Sequence, residues 1–275
     1  MDCPTVLSIA GSDSGGGAGI QADLAAFAWF GAFGTTAITA VTAQNPQGVT
    51  GIYPIEPAGV AAQIEAVYAG FTVAAVKTGM LFSAGVIEAV AQSLVRQGPA
   101  WLVVDPVMVA SSGAKLLCDD AVAALCARLL PLATVITPNL PEAEVLLGRT
   151  LGSEAAAVQA ALDLAQRYGA WVVVKGGHGR GERAVDVLAH AGDAWLLSAP
   201  RQAAPTTHGT GCSLSAAMAA CLARGDTPAE ALRQAKAYVL ARLRSCRRLG
   251  PATWAMLPPR ELPLHEVLLA ACPCP

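Results

Sequence analysis

Residues 5–30 read TVLSIAGSDSGGGAGIQADLAAFAWF, and this stretch decides the fold. Residues 5–10 have the pattern of a short buried strand. Residues 11–19 carry five glycines in nine positions, and residues 20–30 have helical periodicity. A strand that passes through a glycine-rich turn into a helix is the opening unit of an α/β sheet. The turn falls at the carboxyl end of the strand, where open α/β sheets bind ligands. Glycines there permit a close approach of the backbone to a ligand.

Outward from this unit the alternation repeats. Strands are expected at 35–41, 52–55, 74–77, 101–104, 135–137 and 171–175, with a hairpin formed by 184–189 and 194–198 around Gly192-Asp193. Helices are expected at 57–69, 83–97 (Ser83 as N-cap), 119–130, 141–147, 153–168, 211–223 and 228–243. Continuous apolar strands between helices predict a mostly parallel central sheet with helices on both faces. No linker or repeat interrupts it, so residues 1–275 are read as one α/β domain. The proline-rich stretch from Gly250 onward is expected to be an irregular tail.

Composition bounds the function. The chain has 275 residues, 54% apolar and 14% charged, with a formal net charge of −2. This excludes a disordered chain and gives no basic footprint for nucleic acid. No apolar run approaches the ~18 residues of a membrane span. Met1-Asp2-Cys3-Pro4 lacks the basic start of a signal peptide, so a cytoplasmic location is expected, with no membrane partner. The eight cysteines show no C-x-x-C spacing, which argues against a disulfide framework, a structural zinc site or a thiol redox protein.

Several strand ends carry polar residues. Asp105-Pro106 follows 101–104, Thr137-Pro-Asn139-Leu-Pro-Glu142 follows 135–137, and Lys175-Gly-Gly-His178 ends 171–175. Asp105, Asn139 and Glu142 offer oxygen ligands suited to hydrated Mg²⁺, and Lys175 suits phosphate. Asn139 and Glu142 also read as helix-capping residues. A Walker-type loop is excluded, because the one Lys followed by Ser or Thr, Lys77-Thr78, has Val76 where glycine is required. A relaxed dinucleotide fingerprint at Gly17-x-Gly19-x-x-Ala22 lacks its downstream acid. Thr206-Thr-His-Gly-Thr-Gly-Cys212 runs into an Ala-rich helix, so Gly209, Thr210 and Gly211 would offer N–H groups to an anion. Cys212 falls in the first turn, where the helix end is expected to lower its thiol pKa below the free value. His208 is read as a loop or substrate-side residue. Gln44 ends a strand run, where its amide fits a heteroaromatic edge.

These motifs, in this order, resemble the hydroxymethylpyrimidine/phosphomethylpyrimidine kinases of the ribokinase-like superfamily. The resemblance rests on AGSDSGGGAGIQADL (10–24), TAITAVTAQN (36–45), VKTGML (76–81), VVDPVMVA (103–110), VITPNLPEAE (135–144), VVKGGH (173–178) and THGTGCSLSAAMAA (207–220). It implies a ribokinase-like fold and phosphorylation, with ATP and Mg²⁺, of a pyrimidine hydroxymethyl group and then of its monophosphate. It also implies a homodimer. Carried over residue by residue, the pyrimidine meets Gly11, Asp23, Gln44, Met80 and Val107, and Cys212 is the base beside Gly209, Thr210 and Gly211. Asn139, Glu142, Lys175 and Thr207 meet the nucleotide, while Asp105 and Glu142 hold Mg²⁺ through water. Two departures stand out. Ser111 and Ala114 replace a Lys and an Asp of the family pattern, and residues 248–255 lack its histidine. Both bear on the second phosphorylation. The rival expectations are a pyridoxal kinase of the same fold and a non-catalytic pyrimidine sensor.

Overall fold

The computed structural model describes residues 3–108, 117–177 and 181–272. Ser111, Ala114, His178 and Cys274 lie outside them. The chain opens with β1 (Thr5–Asp13), α1 (Gly19–Trp29), β2 (Phe33–Asn45), β3 (Gly48–Pro54), α2 (Pro57–Gly70), β4 (Val73–Thr78) and α3 (Ala84–Gln97). Next come β5 (Leu102–Val104), α4 (Asp119–Ala124), β6 (Val135–Ile136), α5 (Leu140–Leu147), α6 (Glu154–Tyr168) and β7 (Trp171–Val174). A hairpin of β8 (Arg183–His190) and β9 (Asp193–Pro200) precedes α7 (Thr210–Ala223) and α8 (Pro228–Arg244). The chain closes with β10 (Cys246–Arg248), β11 (Trp254–Met256) and β12 (Leu268–Ala271).

Ten strands form one sheet in the order β12-β9-β8-β7-β6-β5-β4-β1-β2-β3. The run from β7 to β2 is parallel, and antiparallel strands close both edges. Strand alternation divides the core in two. Leu7, Ile9, Val76, Leu102, Val104, Ile136 and Val172 pack under α2 to α6. Val6, Ala75, Val103, Val135 and Val173 pack under α1, α7 and α8. Two residues further along, on the α1/α7/α8 side, the apolar row gives way to Ser8, Lys77, Asp105, Thr137 and Lys175. This places the polar groups together at the carboxyl edge of the sheet.

Three sequence expectations are corrected. The strand expected at 5–10 runs to Asp13, because Ser12 and Asp13 pair with Val41 and Thr42 of β2. The glycine-rich loop is correspondingly shorter. The helix expected over 119–130 is regular only to Ala124. A π turn (Leu125–Leu129) and a 3-10 turn (Leu130–Leu132) follow, where Pro131 has no N–H to donate. Among its described residues the tail is not irregular throughout. Pro251, Pro258, Pro259 and Pro263 fall between paired segments, so β11 pairs with β10 and β12 adds an antiparallel edge strand to β9. The Pro259 carbonyl also accepts from Trp29 Nε1 at 2.8 Å.

Candidate active site

A cavity of about 660 Å³ opens along the carboxyl edge of the sheet. Its wall includes Gly11, Gln44, Met80 and Val107 in one part and Asn139, Glu142, Lys175 and Asp105 in another. Thr207, Gly209, Thr210, Gly211 and Cys212 belong to the same wall. Asp23 does not reach it. That carboxylate is fully buried, accepting from Lys77 Nζ at 2.9 and 2.8 Å and from Ser8 Oγ at 2.6 Å. Its expected contact with the pyrimidine is therefore replaced by a place behind Lys77.

The loop before α7 is built on glycine. Gly209 caps the helix at φ 84°, a conformation L residues rarely adopt, and no side chain caps that end. Thr210 N–H turns back onto the Thr207 carbonyl at 3.2 Å. The remaining first-turn N–H groups, of Gly211 and Cys212, stand at the N-terminus of α7, the kind of helix end that suits an anion. Asp13 ties this loop to the glycine-rich one. Its carboxylate accepts from the N–H groups of Gly15, Gly17 and Ala18, and His208 Nε2 lies 2.9 Å from Oδ2. Burial pushes the Asp13 carboxyl up, but His208 and the Ala18 and Gly15 N–H groups outweigh it and hold it below the usual range. His208 Nε2 is also 3.2 Å from the Gln44 amide, which accepts from Thr42 Oγ1 at 3.2 Å. Val107 sits at φ 41°, a strained conformation for a β-branched residue, in the cavity wall.

In the other part of the wall, Asn139 and Glu142 form a capping box at the start of α5. Asn139 Oδ1 accepts from Glu142 N–H at 2.9 Å, and Glu142 Oε2 accepts from Asn139 N–H at 2.8 Å. Glu142 Oε1 takes a third bond, from Met108 N–H at 3.2 Å. The capping reading and the ligand reading of these two residues are thus compatible. Lys175 Nζ donates to Asp105 Oδ1 at 2.8 Å, and Ser215 Oγ to Asp105 Oδ2 at 3.1 Å. Burial raises the Glu142 carboxyl, helped by Asp105 and opposed by Lys175. Burial lowers the Lys175 ammonium, but Asp105 and Glu142 outweigh it and the net shift is upward.

The Cys212 thiol is corrected. Burial raises its pKa, Lys77 and the Gly19 N–H pull it down, and Asp23 and Asp105 add to the rise, so the net shift is upward. Desolvation, together with the carboxylates of Asp23 and Asp105, sets the upward direction.

The wall residues that sequence reasoning missed include Asp13, Lys77, Asp186 and Lys236. Lys77 is fully buried yet lines the cavity, and its signal was a charged residue two positions after Ala75 on an apolar strand. Lys236 donates to Asp186 Oδ2 at 2.7 Å, and Asp186 Oδ1 accepts from Gly176 N–H at 2.9 Å. The signal at Lys236 was a lysine on the apolar stripe of α8, four residues from both Leu232 and Leu240.

A mostly parallel sheet with a glycine-capped helix facing a carboxyl-edge cavity defines a ribokinase-like small-molecule kinase. Within that class, the chain belongs to the phosphomethylpyrimidine kinase family, whose model matches residues 13–256. It is 49% identical over 244 residues to a hydroxymethylpyrimidine/phosphomethylpyrimidine kinase of Rhizobium meliloti, covering 88% of this chain and 91% of that one. It is 46% identical over 246 residues to a thiamine biosynthesis bifunctional protein of Geobacter sulfurreducens, covering 90% of this chain and 50% of that protein. The chain therefore spans half the length of that bifunctional relative. Among solved structures it resembles the pyridoxal kinase of Staphylococcus aureus in complex with ADP, with a TM-score of 0.87 and 30% identity over 99% of this chain and 100% of that one. Among the described residues, no helix is long and apolar enough to cross a membrane.

Proposed function

We propose that this chain transfers the γ-phosphoryl group of ATP to the hydroxymethyl oxygen of 4-amino-5-hydroxymethyl-2-methylpyrimidine, and then phosphorylates the monophosphate. One observation carries the reading: a single cavity joins the Gln44, Met80 and Val107 wall to the Lys175 and Glu142 wall, with the N-terminus of α7 in its lining. The Gln44 amide can donate to and accept from the aminopyrimidine edge, and Gly11 leaves room for the Met80 side chain in the same wall. A Cβ at residue 11 would stand 2.6 Å from Met80 Cε.

Phosphoryl transfer demands positioning and charge stabilisation more than covalent chemistry. The N–H groups of Gly209, Gly211 and Cys212 would face the migrating phosphoryl group while Thr210 holds the turn against Thr207, and Lys175, Asn139 and Thr207 would face the rest of the nucleotide. Cys212 Sγ, as thiolate, would take the hydroxyl proton as the hydroxymethyl oxygen bonds to phosphorus and the bond from phosphorus to the ADP oxygen breaks.

The carboxylates fit Mg²⁺ held through water. Each oxygen of Asp105 and Glu142 accepts one bond from the protein, leaving lone pairs for metal-bound water. Among the described residues no group of three His, Cys, Asp or Glu side chains offers direct ligation. Bound there, Mg²⁺ would neutralise phosphate charge. A homodimer belongs to the same reading, and light scattering checks it.

A pyridoxal kinase is the second reading, favoured by the whole-chain likeness to the Staphylococcus aureus enzyme. One coupled assay on hydroxymethylpyrimidine, its monophosphate and pyridoxal separates them. A kcat/KM for pyridoxal above that for the pyrimidine would overturn the first reading. Turnover of the pyrimidine without turnover of its monophosphate would confine the chain to the first phosphorylation, the outcome that Ser111 and Ala114 point towards.

A further inference from the structure

Lys77 has no solvent-exposed surface, yet the residue belongs to the cavity wall. A lysine enclosed this way is costly unless its charge is compensated. Three elements hold it. Asp23 of α1 accepts two N–H bonds from Nζ, and Ser8, the register partner of Lys77 on β1, donates to the same carboxylate. The third element is an absence of bulk: a Cβ at Gly79 would stand 2.8 Å from Nζ. An ammonium has three N–H bonds, so one remains after Asp23 is satisfied.

The row of strand-end residues sets what lies next to it. Lys77 follows Ala75 by two residues and Asp105 follows Val103 by two, so both project from the sheet face that α7 covers. Ser215, one turn along α7 from Cys212, bonds Asp105, which fixes the first turn of α7 over the ends of β4 and β5. Cys212 shares the cavity wall with Lys77. The groups facing Cys212 are Lys77 from β4, Asp23 and the Gly19 N–H from α1, Asp105 after β5 and Lys175 after β7. Two carboxylates oppose a thiolate in this setting, and two ammonium groups favour it.

We propose that Lys77, held by Asp23 and Ser8, is a positioning residue that compensates the charge of the Cys212 thiolate and so sets how readily Cys212 accepts the substrate proton. This rests on the reading of Cys212 as the base. The proton moves from the substrate hydroxyl to sulfur, and Lys77 keeps its own throughout. The Lys77 ammonium acts on the Cys212 thiol in the direction that favours thiolate.

The test is the pH dependence of Cys212 alkylation by iodoacetamide in the full chain, followed by peptide mass spectrometry so that the other cysteines are read separately. Removing an opposite charge at close range raises a thiol pKa by about 1–3 units, so Lys77→Met should slow alkylation at pH 8 at least ~10-fold. kcat should fall in parallel, with KM for ATP little changed. Asp23→Asn keeps Lys77 and removes an opposing charge, so it should speed alkylation. A folded Lys77→Met protein with the wild-type alkylation profile overturns the proposal. If Lys77→Met does not fold, Asp23→Asn decides, and a rate at or below wild type overturns it. A shifted profile in Lys77→Met, alongside wild-type kcat in Cys212→Ala, keeps the charge pair and overturns the base assignment instead.

Discussion

Gly209 and Gly17 meet backbone to backbone: a Cβ on Gly209 would stand 1.9 Å from the carbonyl oxygen of Gly17. The contact joins the loop before α7 to the glycine-rich loop after β1, and so sets where the helix N-terminus faces the cavity. Gly209→Ala would add both this overlap and the strain of φ 84°, a loss on the order of 3 kcal/mol or more. The expected outcome is a lower melting temperature with a raised KM for ATP. Gly16 is the control. It has φ 75° but nothing within 4 Å of its would-be Cβ. Gly16→Ala should cost only about 1–2 kcal/mol of left-handed strain and leave KM for ATP unchanged.

Gln44 tests the substrate end of the cavity. Its amide sits among Thr42 Oγ1, His208 Nε2 and the open wall. Gln44→Met would leave polar atoms of an aminopyrimidine unpaired in a closed site, a loss of roughly 1–3 kcal/mol. KM for hydroxymethylpyrimidine should rise about 5- to 150-fold, with KM for ATP and the melting temperature retained. An unchanged pyrimidine KM would remove Gln44 from the substrate site.

Asp13 predicts a pH dependence of stability. Its folded pKa lies below the ordinary 3.8, because His208 and two N–H groups outweigh burial. A depressed carboxyl contributes stability that is present above its unfolded pKa and lost as pH falls through the folded one. Asp13→Asn should therefore unfold at lower urea than wild type at pH 7. The two midpoints should converge as pH drops below about 4. A difference of constant size from pH 7 to pH 3 would show that the Asp13 charge plays no part.

The sheet was legible because its central strands are buried on both faces and read as unbroken apolar runs. Ser83 and Asn139 announced their helices, and each accepts from a first-turn N–H, as does Ser153, which the sequence did not mark as a cap. What escaped the sequence depends on distant partners. β12 pairs with β9 far upstream, and nothing local in a proline-rich stretch signals that pairing. The site divides the same way. Asp105, Asn139, Glu142 and Lys175 could be picked out because strand ends converge on one edge. The ion pairs could not, since Asp23 and Lys77 are 54 residues apart and Asp105 and Lys175 are 70 apart. Glycine was read as room for a ligand, whereas Gly17, Gly19 and Gly209 make room for protein. Their would-be Cβ atoms meet His208, the Gly11 carbonyl and the Gly17 carbonyl.

Cys212 carries the last prediction. The local sequence places its sulfur at a helix N-terminus, which favours thiolate. The fold adds burial and the carboxylates of Asp23 and Asp105, which reverse the net shift despite Lys77. A base whose pKa is raised above the ordinary 9.0 is mostly protonated at neutral pH. Its thiolate fraction then grows about tenfold per pH unit until the raised pKa is reached. With saturating ATP and Mg²⁺, kcat should therefore climb with pH through neutrality and keep climbing past pH 9. Cys212→Ala should flatten that limb and lower kcat on the order of 10² or more, with both KM values nearly intact. Cys212→Asp should retain part of the activity, since a carboxylate also accepts a proton, and its limb should move to lower pH. Cys221, fully buried on the same helix, is the internal control. Cys221→Ala should cost about 1 kcal/mol of stability and leave the pH profile of kcat where it was. A Cys212→Ala protein with wild-type kcat and the same rising limb would make Cys212 a packing residue and assign the proton to water or to another group on the cavity wall.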